Sequence, residues 1–531
     1  MMLPELKNCL LMAFCRNFRD IGQLIIVMVF LHVSINIQAQ TTAFAHSIPE
    51  AEGVSATGID SFLTAVQHSK NEFHSFMFLR HGKVIAEGWW NPYRPGLKHA
   101  LYSTSKSFTS TAVGFAVTEG KLKVTDKVIS FFPNSLPDTV SAYLAQLTVK
   151  DLLTMTAGME PDPTSVIPFK TTDWVKAFLA TPIKHKPGSV FLYNTMATFM
   201  LSAIVQKVTG QTELAYLKPR LFDPLGITGE DWEVNKQGIN TGGWGLRLKT
   251  EDLAKMGQFY LQKGMWKGKQ LLPKDWVNEA TTFKIDQAPG APQSKKDSSD
   301  WMQGYCYQFW RCRHNAFRAD GAFGQYIIVM PDDDAVIAIT SETPDMQDEL
   351  NLVWKYLLPA IHPVALPANP NADLHLSRHL AKLSLAPLPQ AGGKNMPIDD
   401  KTFKLKPNDL HIKSIAFHYN NKGISVSLSK DSAVYDLNFE TGKWQPGETG
   451  MRGPSLLNGA NENWSVILTY KIAGSYTLLD NNTVEFKLRY IESPHSETIT
   501  CHFDKNSQNL NATVAYSFNY GQGKKIELQS E

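Results

Sequence analysis

The segment ALYSTSKSFTSTAVGFAVTEG, residues 100–120, constrains the fold most strongly because it places a lysine among small and apolar residues. The positions after Lys106 are too apolar for a helix on the surface, and Gly120 is a typical residue at which a helix stops. We therefore predict a buried helix that begins near Lys106. Ser103 lies one turn before Lys106 and shares its face, because residues three apart are neighbours on a helix.

Ser103 and Lys106 together fit the pattern S-x-x-K, which chance alone produces a few times in a chain of 531 residues. A serine hydroxyl is a poor nucleophile until a nearby base takes its proton, and a lysine is such a base only if burial lowers its pKa toward neutrality. The alternative is a surface lysine at a helix start, since lysines are seldom buried. A second match, Ser427 to Lys430, lies in an alternating strand pattern that puts its two side chains on opposite faces.

The rest of the chain divides at a proline-rich stretch, residues 357–375. Helical and strand patterns alternate before it, whereas short alternating runs broken by Gly, Asn and Asp follow it. We predict a first domain over residues 46–365, a linker over 366–380 and an all-β sandwich or barrel over 381–531.

The formal net charge is only +2, with acids and bases mixed along the chain, so we expect no nucleic-acid partner.

Residues 1–45 are predicted to be a signal peptide. Basic residues precede the apolar run QLIIVMVFLHVSI, which is short for a membrane span and is followed by small residues. Cleavage after Ala39 or Ala45 would export the protein to the periplasm or the medium, with no membrane span in the mature chain. The alternative is an uncleaved membrane anchor.

Cysteine and histidine usage predicts neither disulfides nor a metal site. Cys306, Cys312 and Cys501 would remain after cleavage, and the alternating stretch from Cys306 to Cys312 resembles a strand that holds its sulfurs beyond bonding distance. The 15 histidines show no clustered ligand spacing. We expect no metal and no other cofactor.

Six sequence blocks stand in a recognisable order over residues 52–362: FLRHGKVIAEGWW, LTVKDLLTMTAGM, FLYNTMATFMLSAIVQKVTG, PLGITGEDWE, GGWGLRLKTEDLAKMGQFYLQKGMWKGKQLLPKDWV and DGAFGQYIIVMPDDDAVIAITSE. With the S-x-x-K motif they resemble the serine β-lactamase and penicillin-binding-protein superfamily, especially its class C-like esterases, carboxypeptidases and amide hydrolases. The resemblance implies an α/β (α+β) β-lactamase-like fold over residues 46–365. In that fold an antiparallel sheet is flanked by helices and joined to an all-helical subdomain.

The resemblance makes Ser103 the nucleophile, because S-x-x-K is the family's nucleophile motif. The family's second element, Y-x-N or Y-x-S, is matched by Tyr193-Asn194-Thr195, with threonine in the third place. Tyr193 could act as a base only if Lys106 and its neighbours stabilise a phenolate, and the alternative is a core tyrosine. Thr195 keeps a hydroxyl that could bind substrate.

The family's third element, K-T-G or H-x-G, is where this sequence departs most. Ala319-Asp320-Gly321 occupies its place, so the cation that would bind a substrate carboxylate is missing. Arg318 is a poor substitute because adjacent strand residues face opposite ways. Asp320 and Gly321 remain candidate substrate-binding residues, but the change favours uncharged esters or amides over β-lactams and D-Ala-D-Ala peptides.

The missing cation does not affect how the site would stabilise the oxyanion that forms when the nucleophile attacks the acyl carbon. The backbone N–H groups of Ser103 and Ala322 would form the oxyanion hole, and neither needs a particular side chain. Five tryptophans could line the substrate cleft, although aromatic residues more often belong to the core; they are Trp89, Trp90, Trp244, Trp301 and Trp310.

The sequence thus predicts an exported serine hydrolase that forms an acyl-enzyme with a small-molecule or peptide ester or amide. Esterases, amide hydrolases, β-lactamases and D-Ala-D-Ala carboxypeptidases all fit this description. The alternative is a relative that binds acyl groups or peptides without turnover, such as a cell-wall sensor, and the altered third element keeps this alternative open.

Overall fold

A computed structural model of the chain describes residues 44–390, 398–463, 467–504, 508–518 and 525–531. All that follows concerns the compact unit Ala45–Glu531. The predicted signal peptide lies outside the described residues except for Phe44 and Ala45. Among the described helices, none combines the length and the apolar character that crossing a bilayer requires.

The first part of the chain is built on a six-stranded antiparallel sheet with the spatial order β2-β1-β11-β10-β9-β8. Short strands form two small accessory sheets beside it. The strands are β1 Glu72–Arg80, β2 Lys83–Trp89, β3 His99–Ala100, β4 Asp231–Trp232, β5 Leu246–Leu248, β6 Met265–Trp266, β7 Lys269–Gln270, β8 Trp310–Arg311, β9 Phe317–Gly321, β10 Gln325–Met330 and β11 Ala335–Glu342.

Helices cover both faces of this sheet, which explains why β10 and β11 are buried along almost their whole length. Ile328 and Ile337 pack with helix Ala56–Gln67 in one core. On the opposite face, helix Thr250–Leu261 approaches so closely that a Cβ at Gly257 would collide with Val336. The β-lactamase-like arrangement of an antiparallel sheet flanked by helices is therefore confirmed.

The remaining helices surround the sheet or form the helical subdomain. They are Val128–Phe131, Ala142–Gln146, Val149–Leu153, Ile167–Lys170, Trp174–Ala180, Thr195–Thr209, Glu213–Leu217, Asp223–Leu225, Lys274–Thr281, Gln293–Lys296 and Met346–Leu352. The predicted buried helix spans Ser105–Thr118 and packs against Thr195–Thr209. Every residue from Ser105 to Ala116 is buried, as the apolar pattern indicated.

The last part of the chain is one curled ten-stranded sheet whose two ends meet. Leu405 pairs with Ser530, and the Lys406 N–H donates to the Gln529 carbonyl at 2.9 Å, so the sheet closes into a barrel rather than a sandwich. Its strands are β12 Lys401–Lys404, β13 Ile412–Asn420, β14 Gly423–Lys430, β15 Ala433–Thr441, β16 Gln445–Thr449, β17 Tyr470–Leu478, β18 Thr483–Tyr490, β19 Ser496–Phe503, β20 Leu510–Tyr516 and β21 Ile526–Gln529. The second S-x-x-K match lies in β14, as expected of a strand.

Two local predictions are corrected. The predicted linker, residues 366–380, contains helix Pro370–Leu380, whose Leu376 is buried in the same core as helix Ala56–Gln67. The Asn369 side chain caps this helix by accepting from the Ala372 N–H at 3.2 Å.

The stretch from Cys306 to Cys312 is not one continuous strand. Gln308 has a φ of 62°, which turns the chain there, and only Trp310–Arg311 pairs as β8. Cys306, Cys312 and Cys501 are buried free thiols.

Candidate active site

The nucleophile candidate and its lysine lie at the start of helix Ser105–Thr118. Ser103 belongs to a short 3-10 turn, Tyr102–Thr104, that leads into the helix. Lys106 Nζ is 3.0 Å from Ser103 Oγ, 2.8 Å from the Gly243 carbonyl oxygen and 3.2 Å from Thr195 Oγ1. The fold thus brings Ser103, Lys106 and Thr195 together, while the substrate-binding role expected of Thr195 stays a prediction.

Lys106 is buried, with 2% of its surface exposed. Burial lowers the pKa of Lys106 from 10.5 to about 7, although the carboxylates of Asp162 and Asp320 oppose this change. A neutral amine has two N–H donors and one lone pair. Because the Gly243 carbonyl can only accept, it takes one N–H, and the lone pair remains available for the Ser103 hydroxyl proton.

Tyr193 lies beside this pair, with its ring centroid 5.0 Å from Lys106 Nζ. Burial raises the pKa of Tyr193 above its usual value of 10, and the Asp320 carboxylate raises it further, whereas the Ser103 hydroxyl lowers it. The phenol therefore stays protonated near neutral pH. This favours Lys106 as the base and Tyr193 as a hydrogen-bond donor, rather than the phenolate that the sequence left open.

The third element occupies the end of β9. Arg318 and Asp320 share one face, as residues two apart on a strand do, and Arg318 Nε donates to Asp320 Oδ2 at 2.8 Å. Both residues are buried, and Arg318 Nη1 also donates to the Asp300 carbonyl at 2.8 Å. Ala319 is also buried, on the face of the sheet away from Arg318, and it pairs with Ile327 of β10. Arg318 is thus held in an internal ion pair, and Ala319, which we predict to stand in the family's cationic place, carries no charge.

Gly321 allows β9 to approach the nucleophile turn. A Cβ at this position would collide with the Leu101 carbonyl oxygen. Thr104 Oγ1 also ties the two segments together by donating to the Gln325 carbonyl at 2.8 Å. This contact places Gly321, the residue before Ala322, against Leu101 and Thr104 on either side of Ser103. An oxyanion hole formed by the N–H groups of Ser103 and Ala322 stays a prediction.

Sequence analysis missed two residues that shape the site. Gly243 supplies the carbonyl that accepts from Lys106, and a Cβ there would lie 2.6 Å from Thr195 Cγ2. Gln308 accepts from Thr198 Oγ1 at 2.7 Å and donates to the Leu153 carbonyl at 2.9 Å, joining two parts of the helical subdomain. Gly243 stands in a block that carried the family resemblance, whereas no sequence signal marked Gln308.

Aromatic rings form one wall of the site. Trp310 stacks on Tyr193 with ring centroids 5.8 Å apart, and Phe191 and Tyr305 pack against both. Trp301 lies 6.3 Å from Trp310, between centroids. Of the tryptophans considered for the cleft, Trp310 and Trp301 thus lie at or near the site; Trp90 instead belongs to the core beside helix Ala56–Gln67.

Comparison with known families agrees with this geometry. The family model named Beta-lactamase matches residues 74–358. The chain belongs to the Beta-lactamase family. It is thereby placed among the serine β-lactamase and penicillin-binding-protein-like hydrolases, and the family resemblance read from the sequence blocks is confirmed.

Individual relatives of this Beta-lactamase family member are distant. The 6-aminohexanoate-dimer hydrolase of Paenarthrobacter ureafaciens is 26% identical over 292 residues, which cover 51% of this chain and 73% of that protein. Protein flp of Staphylococcus aureus (strain MRSA252) is 26% identical over 189 residues, which cover 32% of this chain and only 38% of that relative. A solved structure from Bacillus anthracis, provisionally titled a 6-aminohexanoate-dimer hydrolase, has a TM-score of 0.50 at 20% identity and covers 61% of this chain and 89% of that one.

Proposed function

We propose that this protein is an exported serine hydrolase that cleaves an ester or amide through an acyl-enzyme. One observation carries the proposal: Ser103 Oγ lies 3.0 Å from the amine of a buried lysine whose pKa is about 7. An amine that is neutral near physiological pH can accept the proton of the hydroxyl it contacts.

Each step follows from a group in the site. Neutral Lys106 takes the Ser103 proton while Oγ bonds to the acyl carbon, and the carbonyl oxygen becomes an oxyanion held by the N–H groups of Ser103 and Ala322. Collapse of this intermediate breaks the bond to the leaving group, which receives a proton from Lys106 through the Tyr193 hydroxyl. Water then attacks the acyl-enzyme, Lys106 takes the water's proton, and Ser103 leaves with a proton restored.

We propose an uncharged ester or amide as the substrate class, rather than a penicillin. Ala319 offers no charge to a penicillin carboxylate, and Arg318 is already paired with Asp320. A charge-assisted hydrogen bond is worth about 1.5 to 3 kcal/mol, so its loss lowers the specificity constant for penicillins by roughly ten- to a hundredfold. A relative named for hydrolysis of the 6-aminohexanoate dimer supports a substrate outside the β-lactams.

A fluorophosphonate probe and a substrate panel test this proposal on the purified chain. We expect the probe to label the wild type and Ser427→Ala, but not Ser103→Ala, since Ser427 stands in the strand-borne S-x-x-K match. We expect turnover of short-chain p-nitrophenyl esters to exceed that of penicillins and D-Ala-D-Ala peptides. Turnover by Ser103→Ala would refute the assignment of the nucleophile.

The altered third element supports a second candidate, a relative that binds acyl groups or peptides without turnover. Stoichiometric labelling of Ser103 with no release of product from any substrate of the panel would favour it.

Export to the periplasm or the medium is part of the proposal and rests on the N-terminal apolar run. Detection in those fractions of a mature chain that begins near residue 40 or 46 would support it.

A further inference from the structure

The turn between β18 and β19 carries a buried histidine that touches the residue before the nucleophile. His495 is fully buried. Its Nδ1 lies 2.7 Å from Glu342 Oε1, and its Nε2 lies 2.6 Å from the Tyr102 hydroxyl oxygen. An ionised carboxylate only accepts, so Nδ1 carries a proton; in the neutral ring, Nε2 then accepts from the Tyr102 hydroxyl. The barrel thus contacts the segment that positions Ser103.

The two residues that flank the proposed oxyanion donors share an unusual backbone conformation. Tyr102 precedes Ser103 and has a φ of 47°, while Phe323 follows Ala322 and has a φ of 68°. Bulky side chains rarely occupy this left-handed region, and they persist there only where their surroundings hold them. The direction of each donor N–H therefore depends on what holds these two aromatic residues.

His495 packs against both of them. Its ring centroid lies 4.6 Å from that of Phe323, edge to face, and 5.7 Å from that of Tyr102. The Tyr102 and Phe323 rings also pack on each other at 5.5 Å. Phe518 closes the far side, with its centroid 4.5 Å from His495, and Ser517 Oγ donates to the same Glu342 oxygen at 2.7 Å. We name Tyr102, Phe323, His495 and Phe518 the aromatic clamp.

We propose that His495 is a positioning residue for the oxyanion hole, acting through Tyr102 and Phe323. This inference rests on the proposed function. The clamp joins the two backbone segments that would donate to the oxyanion, because Tyr102 lies just before one donor and Phe323 lies just after the other. The side chain that joins them, His495, comes from the barrel. An oxyanion forms only in the transition state and the tetrahedral intermediate, so His495 should affect kcat rather than KM.

The test compares three variants of the full chain with the wild type on one neutral ester. His495→Ala should lower kcat by roughly ten- to a hundredfold, less than the loss of a whole oxyanion donor, with KM within about twofold. His495→Gln should recover most of this loss, because a glutamine oxygen can accept from Tyr102 near the place of Nε2. Tyr93→Phe is the matched control: Tyr93 donates to the Ser493 carbonyl at 3.1 Å, in the same turn, without joining the clamp. Its kcat should match the wild type.

Several results would overturn the positioning role. If the wild type is active and His495→Ala leaves kcat unchanged, the positioning role is refuted while the proposed function stands. An equal loss of kcat in Tyr93→Phe, or a change in KM without a change in kcat, also refutes the positioning role. If His495→Ala does not fold, Tyr102→Phe removes only the hydroxyl that meets Nε2, and an unchanged kcat there overturns the role as well. A wild type that neither hydrolyses esters nor reacts with the fluorophosphonate probe refutes the proposed function itself, on which this inference rests.

Discussion

The rate of acylation should follow the protonation of Lys106. With a pKa of about 7, roughly one tenth of the enzyme has a neutral Lys106 at pH 6 and roughly nine tenths at pH 8. The specificity constant should therefore rise about tenfold between these values and level off above pH 8. A lysine with the ordinary pKa of 10.5 would instead give a rise of about a hundredfold over the same interval, continuing toward pH 10.

A single substitution tests whether the midpoint belongs to Lys106. The Asp162 carboxylate raises the pKa of Lys106, so Asp162→Asn should move the midpoint to lower pH and raise the relative rate at pH 6. An asparagine can still accept from the Thr164 N–H, which Asp162 Oδ1 now accepts at 3.0 Å, so the local turn is preserved. Asp173→Asn is the matched control, because Asp173 caps a helix in the same way and is not among the groups that shift this pKa.

The assay is kcat/KM for a neutral p-nitrophenyl ester from pH 5 to pH 10 at constant ionic strength. A neutral substrate does not titrate, so the profile reports groups of the free enzyme. A rise that continues log-linearly through pH 9 would refute the lowered pKa of Lys106. A shift of Asp162→Asn toward higher pH, or an equal shift in Asp173→Asn, would refute the electrostatic reasoning.

Three further substitutions test separate parts of the structure. Tyr193→Phe should lower kcat by about a hundredfold or more, because it removes the hydroxyl proposed to relay the proton while keeping a ring against Trp310, and steady-state kinetics would check this. Gly321→Ala should lower kcat/KM by at least about tenfold because its Cβ would collide with the Leu101 carbonyl oxygen, and a thermal melt would show whether folding suffers too. Glu213 is fully buried, and burial raises its pKa to about 7, so the native state loses stability as pH rises from 4.5 to about 7. Glu213→Gln should escape this loss and gain up to about 3 kcal/mol over the wild type by pH 8, measured by urea unfolding at pH 5 and pH 8.

Local geometry predicts the contact at the centre of the site, whereas the more distant second and third elements are predicted only by the family resemblance. Ser103 and Lys106 are three residues apart on one helical turn, so their contact follows from the pattern alone. Gly243 contacts Lys106 although the two are 137 residues apart in the sequence. His495 contacts Tyr102 across 393 residues. Contacts across such separations depend on the tertiary fold and leave no local pattern.

Local signals also misled in two places. The proline-rich pattern around Pro370 predicts a linker, but proline is well tolerated in the first turn of a helix, where its missing N–H would have no partner within the helix. The alternating residues around Gln308 indicated a strand, but its left-handed backbone turns the chain so that the buried side chain reaches the carbonyls of Leu152 and Leu153. In both places hydrogen bonding and packing outweighed the pattern.

Helix Pro370–Leu380 decides where the gene can be cut to produce the first domain without the barrel. Leu376 and Leu383 are buried in the core that includes helix Ala56–Gln67, and a Cβ at Gly88 would collide with Leu383. The Leu385 N–H donates to the Asn91 carbonyl at 2.8 Å, just after this contact. An expression plasmid that ends at residue 365 would strip this apolar cover and yield aggregating protein, whereas one that ends just after Leu385 would keep it.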